Sequence, residues 1–232
     1  MSEPFFSSEI TVELIQQIGG DTMVAAAARV STGGDLSESN PERDAGLIGY
    51  LMRNRHGSPF EHGAATFRVT APVVTWWEHV RHRIGWSYNL ESGRYKQLDG
   101  VFYIPEHARV QTGKPGHYRI TDAPELDDEM KASFLRVAEV QWAEYRRMLD
   151  LGFANEVARL VLPFNIYYSG YTTANPRSIM AFMSLRTEDD DARYPSRPQK
   201  EVRVVGEQYE DLFAKSWPAT YEAWVAAGRV AP

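Results

Sequence analysis

The chain contains no cysteine. That excludes disulfides, thiolate zinc sites, cysteine-ligated iron–sulfur clusters and any mechanism built on a cysteine nucleophile. No apolar run approaches the ~20 residues that a membrane-spanning helix needs, so no membrane partner is expected. Basic charge is in deficit: 25 Lys and Arg stand against 31 Asp and Glu, for a net charge of −6. A general nucleic-acid binder needs a broad basic face to neutralise phosphates, so no nucleic-acid partner is expected. Met1-Ser2-Glu3-Pro4 has neither the basic start nor the apolar stretch of a secretion signal, and a cytoplasmic protein is expected. Internal repeats and linker-like breaks in composition are also missing. At 232 residues with 43% hydrophobic content, the sequence suits a single domain, 1–232, with a sizeable core.

Periodicity outlines the elements. Residues 9–18 suit a strand or a helix and end at Gly19-Gly20. Asp21 is placed to cap an Ala-rich helix over 22–31. Asn40 and Pro41 read as N-cap and first position of a helix with Leu47, Ile48, Leu51 and Met52 on one face. Residues 64–71 alternate as a strand does. A helix opening at Pro72 and running through Val73, Val74, Trp77, Val80 and Ile84 is expected to carry residues 81–83 near its C-terminal end. Residues 101–104 read as a strand, and 105–123 as a loop without periodicity. The clearest helix spans 124–151, followed by a second over 155–162. Residues 164–173 suit a strand, with Gly170 a candidate bulge. A helix runs from Asn175-Pro176 to Arg186, an acidic loop covers 187–198, and helices at 199–216 and 219–227 close the chain. The pattern predicts an α+β fold, mixed helices around a mainly antiparallel sheet.

One stretch is built for chemistry rather than for a core. Residues 81–95 read R-H-R-I-G-W-S-Y-N-L-E-S-G-R-Y. Arg81, Arg83 and Arg94 offer forked guanidinium donors that match phosphate oxygens. Ser87, Ser92 and Tyr95 add hydroxyls, and Gly93 lets backbone N–H approach closely. In an acidic chain this local basic cluster points to a pocket for a small anion. A solvated loop is the plain alternative. Upstream, His56-Gly57-Ser58-Pro59-Phe60-Glu61-His62 gathers two histidines and a carboxylate at a turn, and His79 with His82 form an H-x-x-H pair. The spacing matches no strong zinc pattern, and no metal is expected. Downstream, Asn175 opens a helix whose free N–H groups favour anions. Arg177 in the first turn opposes the helix dipole, whereas Arg186 in the last turn suits it. Arg159 sits in an apolar helix, where snorkelling to the surface is the ordinary reading.

These motifs resemble those of the flavin-dependent thymidylate synthases. The family carries R-H-R, a spacer of usually seven residues, then Ser, a small residue, Arg and Tyr. Here the spacer is eight, ahead of Ser92-Gly93-Arg94-Tyr95, and Leu90 stands where Glu is usual, with Glu91 one place later. H-x-[ST]-P-F-E-H, A-R-x-x-L-P and N-x-R-S…L-R occur in the family's order from His56 to Arg186. Ala181 replaces an Asn of many members. The resemblance implies reductive methylation of dUMP to dTMP. It implies bound FAD as hydride carrier, methylenetetrahydrofolate as carbon donor and NADPH as reductant, with no cysteine nucleophile, and a homotetramer with shared active sites. Carried over residue by residue, Ser58, Arg81, His82, Arg83, Asn89, Glu91, Asn175 and Arg177 contact the flavin, with His56 near the folate and flavin rings. Glu78, Arg81, Glu91, Ser92, Gly93, Arg94, Arg159 and Arg186 contact the nucleotide, Arg186 at the pyrimidine as the catalytic charge. Two other classes stand beside this: a metal-dependent hydrolase on the histidines, and a nucleotide- or flavin-binding module without catalysis.

Overall fold

The computed structural model describes residues 4–114 and 117–232. Met1–Glu3, on which the secretion-signal reading partly rests, and residues 115–116 lie outside the described range. In chain order the strands are β1 (Phe5–Ser7), β2 (Thr11–Ile18), β3 (Ala64–Pro72), β4 (Trp86–Leu90), β5 (Val101–Tyr103), β6 (Arg109–Lys114), β7 (His117–Asp122) and β8 (Tyr167–Ala174). The helices are α1 (Asp21–Arg29), α2 (Pro41–Arg53), α3 (Val73–His79), α4 (Asp127–Asp150), α5 (Asn155–Ala158), α6 (Pro176–Arg186), α7 (Lys200–Ser216) and α8 (Pro218–Ala226). The described residues divide into two compact units, one of residues 4–9, 72–74, 91–114 and 117–168, the other of the remainder.

In the first unit, β1 and β5 pair in parallel and β6 and β7 form an antiparallel hairpin. Its core is the α4 stripe Ala138, Trp142 and Tyr145, packed with Leu98, Phe102, Ala158 and Ile166. The Tyr145 hydroxyl accepts from the Leu98 N–H at 3.0 Å. The hairpin corrects the expected loop at 105–123. Residues of β6 and β7 are exposed on both faces apart from half-buried Arg109. A strand with no buried face has no alternation to read.

The second unit is built on the sheet β2-β3-β8-β4. In β3, Ala65, Phe67, Val69 and Ala71 all point into the core, as alternation predicted. The pairs of β4 with β8 are antiparallel and unbroken, with Leu90 opposite Gly170. Gly170 is therefore no bulge in this ladder. A Cβ there meets Leu90 and Trp76 at 3.1 Å, so close packing is what requires the glycine. Asn40 caps α2 as expected, its Oδ1 accepting from the Arg43 N–H at 3.1 Å. Asp21 does not cap its own helix. Its carboxylate accepts from the N–H groups of Ala219 and Thr220 at 2.8 and 3.0 Å and so caps α8, across nearly the whole length of the sequence.

The largest departure from expectation lies at α3. The helix ends at His79 instead of running to Ile84, so residues 81–83 follow it in a turn. Its buried residues are Thr75, Trp76 and His79, while Trp77 and Ile84 are 49% and 90% exposed. The helix thus buries the face opposite to the one its aliphatic residues suggest. Gly85, at the end of the turn before β4, has φ +70°, a left-handed conformation that only glycine adopts freely.

Candidate active site

Residues 78–88 and α6 form a closely built polar group in the second unit. Arg186, the last residue of α6, turns its guanidinium onto the end of α3. Its Nε donates to His82 Nε2 at 3.1 Å, its Nη2 to the Glu78 carbonyl at 3.3 Å, and its Nη1 lies 2.8 Å from the Glu78 carboxylate. The guanidinium plane is thereby fixed at three points by a five-residue segment of chain. For His82 Nε2 to accept this bond, the ring must be neutral. Burial, and then the charge of Arg186, push the His82 imidazole down to about 4.

Behind His82 lies His79, 1% exposed. Its Nε2 is 2.8 Å from the Tyr209 hydroxyl, which is in turn 2.8 Å from Thr172 Oγ1. Rings of Trp76, Trp86, Tyr88, Phe182 and Tyr209 surround it at 4.7–5.6 Å. Burial, with the nearby His82 and Arg186, pushes the His79 imidazole down to about 3. One ring nitrogen of each histidine in the H-x-x-H pair is thus engaged, His79 Nε2 by a tyrosine and His82 Nε2 by an arginine. Among the described residues no group of His, Asp and Glu is arranged to hold a metal ion.

The turn after His79 is tied to the start of α6. Ser178 Oγ donates to the Ile84 carbonyl at 2.9 Å, and Trp86 Nε1 donates to the Ser178 carbonyl at 3.3 Å. A Cβ at Gly85 falls 2.1 Å from Ser178 Oγ and 2.9 Å from Asn175 Nδ2, so close approach fixes this glycine as well as its φ. Asn175 caps α6 with its Oδ1, which accepts from the Ser178 N–H at 2.9 Å. Arg177, two residues after Asn175, lies over buried Gly57, where a Cβ meets its Cζ at 2.6 Å. Its Nη1 pairs with Glu61 at 2.5 Å and its Nε donates to the Pro232 carbonyl at 2.6 Å. Ser58 stands exposed at the head of a short 3-10 turn, Ser58–Glu61. Asn89 is exposed on β4, while Arg81 and Arg83 are exposed and unpaired with any described side chain.

The first unit holds the other expected residues. The Ser92 carbonyl accepts from the N–H groups of Tyr95 and Lys96 at 3.1 and 3.3 Å, and the Ser92 hydroxyl from the Arg94 N–H at 3.3 Å. Gly93 is buried against Leu98, with a Cβ 3.1 Å from its side chain. Arg94 Nε pairs with Glu156 at 2.9 Å, with both side chains more than half exposed. Such a pair is worth about 0–1 kcal/mol and yields readily to a phosphate. Glu91 pairs with Lys96 Nζ at 2.5 Å. Arg159 is half-buried in the 3-10 turn Arg159–Val161 that follows α5.

Sequence reasoning missed Tyr88 and Tyr209. Both bond at the heart of the His79–His82 segment; Tyr88 lies in the polar stretch 81–95 but on a strand where its ring alone gives no sign of its partner, and Tyr209 looks like any core aromatic of a helix. Gly57 was seen as part of a turn, but not as the floor under Arg177. The fit to a flavin nucleotide rests on observed chemistry. Arg81 and Arg83 are unengaged cations on one turn, and Arg177 presents a flat guanidinium beside a helix start. Diphosphate oxygens suit such donors.

Across residues 13–219 the chain matches the family described as Thymidylate synthase complementing protein. The flavin-dependent thymidylate synthase of Streptomyces coelicolor is 48% identical, over 97% of this chain and 94% of that protein. That of Streptomyces avermitilis is 47% identical, over 99% of this chain and 96% of its own. Among solved structures, a UMP/dUMP methylase, PolB, from Streptomyces cacaoi bound with 5-Br dUMP superposes with a TM-score of 0.93. The two are 46% identical over 98% of this chain and 100% of that one. The same enzyme bound with 5-Br UMP gives 0.92.

Proposed function

This chain belongs to the flavin-dependent thymidylate synthases, and we propose on that premise that it methylates dUMP to dTMP. Methylenetetrahydrofolate is the carbon donor and NADPH the reductant, and the chain works as one functional domain, 1–232, in a homotetramer. Bound FAD supplies the hydride chemistry. Arg81, Arg83 and Arg177 are the cations for its phosphates, with Ser58, His82, Asn89, Glu91 and Asn175 as polar contacts. Ser92, Gly93, Arg94 and Arg159 serve the nucleotide phosphate, and Glu78 its sugar. The chain has no cysteine, so no thiolate adds to the pyrimidine, and activation of the ring falls to charge and orientation.

The observation that carries this reading is the fixed guanidinium of Arg186. It is pre-aimed by His82 and Glu78, so little reorganisation is needed when negative charge develops over N3 and the adjoining oxygens of the pyrimidine. The Glu78 carboxylate neutralises Arg186 until substrate arrives. With a pyrimidine bound, that carboxylate is free to turn to a sugar hydroxyl. The neutral His82 ring leaves the full cationic charge of the pair on Arg186.

Single-turnover oxidation of reduced flavin, with dUMP and methylenetetrahydrofolate saturating, tests the role. Arg186→Ala is expected to fold, assemble and take up FAD, yet to lose about two orders of magnitude in rate, the scale of one electrostatic stabiliser. Arg186→Lys recovers little, because an ammonium does not reproduce the planar fork. A near-native rate in the Ala variant removes Arg186 from catalysis and leaves it a helix-end cation worth at most about 1 kcal/mol. UMP belongs in the same assay, since the solved methylase accepts a ribonucleotide analogue in its site.

A further inference from the structure

Everything that aims Arg186 lies on residues 78–82, and most of that segment has left the helix. Beyond His79 the main chain is held by two backbone bonds, from the Val80 N–H to the Trp76 carbonyl at 2.9 Å and from the His82 N–H to the His79 carbonyl at 3.1 Å, and among the described residues the His82 carbonyl accepts no backbone bond. One further group closes it. The Tyr88 hydroxyl reaches back from β4 to the His82 carbonyl at 2.6 Å and lies 3.1 Å from the His79 carbonyl. A phenol carries one proton, so the shorter bond to His82 is the principal one and the contact with His79 its weaker branch.

Tyr88 itself has little freedom. It is paired in register with Thr172 of β8, stacks on Trp86 at 6.0 Å, and meets the His79 ring edge-on at 5.4 Å. Burial raises its phenol well above the ordinary tyrosine range, so it stays a donor at every working pH. A sheet strand is a stiffer support than a turn.

We propose that Tyr88 is a positioning residue for the reaction: its hydroxyl fixes the His82 main chain, and through His82 and Glu78 it sets the orientation of the Arg186 guanidinium. The proposal rests on the role given to Arg186 above. It assigns Tyr88 no contact with substrate or cofactor. The tyrosine acts by holding the Arg186 donors still relative to the turn.

Tyr88→Phe removes the hydroxyl and keeps the ring contacts with Trp86 and His79, so the fold is retained. Two readouts are needed. The first is the Nε–H resonance of Arg186 in nitrogen-labelled protein, assigned by its disappearance in Arg186→Lys. In the unaltered chain it exchanges slowly, unlike the exposed Arg81 and Arg83. In Tyr88→Phe it shifts and exchanges faster. The second is a double-mutant cycle on turnover. Tyr88→Phe lowers kcat roughly five- to tenfold, the scale of one hydrogen bond, with KM for dUMP nearly unchanged. In an Arg186→Ala background the same change has almost no effect, because its route is already cut.

An unchanged Arg186 resonance in Tyr88→Phe overturns the proposal, as does fast exchange in the unaltered chain. A penalty that persists in full in the Arg186→Ala background also overturns it, since that is the mark of general loosening. If the unaltered chain does not turn over dUMP but its resonance responds to Tyr88→Phe, the positioning stands and the activity falls. The two failures are thereby told apart.

Discussion

A guanidinium is a useful catalyst only when it is already where charge will appear. At Arg186 the chain spends two side chains and a carbonyl to hold one residue, and it hides a neutral histidine behind the pair. That arrangement has a pH signature. In an unfolded chain His79 titrates near its ordinary value of 6.5, whereas in the fold burial holds it down to about 3. Between those values the unfolded chain binds the extra proton, so folding stability rises with pH. The contribution of neutral His79 is complete above about pH 6.5 and falls steadily as pH drops toward 3. The full loss amounts to roughly 4–5 kcal/mol at 1.36 kcal/mol per unit. His82 adds to it in the same direction. Urea midpoints at pH 7.5, 6.0 and 5.0 are expected to fall in that order, and less steeply in His79→Gln, which carries no titrating ring. A flat series in the unaltered chain contradicts a buried neutral His79. Arg81 and Arg83 stand out as a basic cluster in an acidic chain, whereas Arg186 is singled out only by the N-x-R-S…L-R resemblance, since a cation at a helix end has an ordinary reading. Tyr88 and Tyr209 were not legible, because an aromatic residue in a strand or an amphipathic helix looks the same whether its hydroxyl holds a turn or not.

At the scale of elements, the legible parts were those with one buried face. The stripe of α4, the cap and face of α2, and α6 with its Asn175-Pro176 start all follow from spacing. The hairpin of β6 and β7 was missed for want of a buried face, and two other failures share a different cause. The segment 73–84 has apolar residues at helical spacing, but its fate is decided by tertiary contacts: Ser178 takes the Ile84 carbonyl and Tyr88 the His82 carbonyl. No local pattern announces either. The Asp21 cap on α8 is invisible for the same reason, since its partners lie at Ala219 and Thr220. Gly85 is the hinge of this arrangement, and its replacement tests it. Gly85→Ala must place a Cβ 2.1 Å from Ser178 Oγ at a φ of +70°. The expected cost is about 1–3 kcal/mol of stability, read as an earlier thermal transition with reduced FAD retention. Adding Ser178→Ala relieves the contact with Ser178 Oγ but neither the 2.9 Å approach to Asn175 Nδ2 nor the dihedral, so it restores part of the loss. A Gly85→Ala protein that melts normally and keeps its flavin rules out the tight junction between the turn and α6.

At the scale of the whole molecule, the absences in the sequence matter as much as the motifs. A thymidylate synthase without cysteine must activate its pyrimidine by other means, and a net charge of −6 confines anion binding to local clusters. Those clusters lie on two compact units, the Arg81–Arg186 group on one and the Ser92–Arg159 group on the other. The family's overall α+β architecture was legible from element types, although the division of the chain between units was not, because it depends on which segments pack together. The central claim is flavin-dependent, thiol-independent methylation of dUMP. Its most direct test is dTMP formation from dUMP, methylenetetrahydrofolate and NADPH, with and without added FAD, before and after iodoacetamide treatment. The account predicts dTMP in step with NADPH oxidised, activity that depends on FAD, and a rate untouched by alkylation. NADPH oxidation without dTMP, dTMP formed by flavin-free protein, or rapid inactivation by iodoacetamide with no other side chain modified would contradict it.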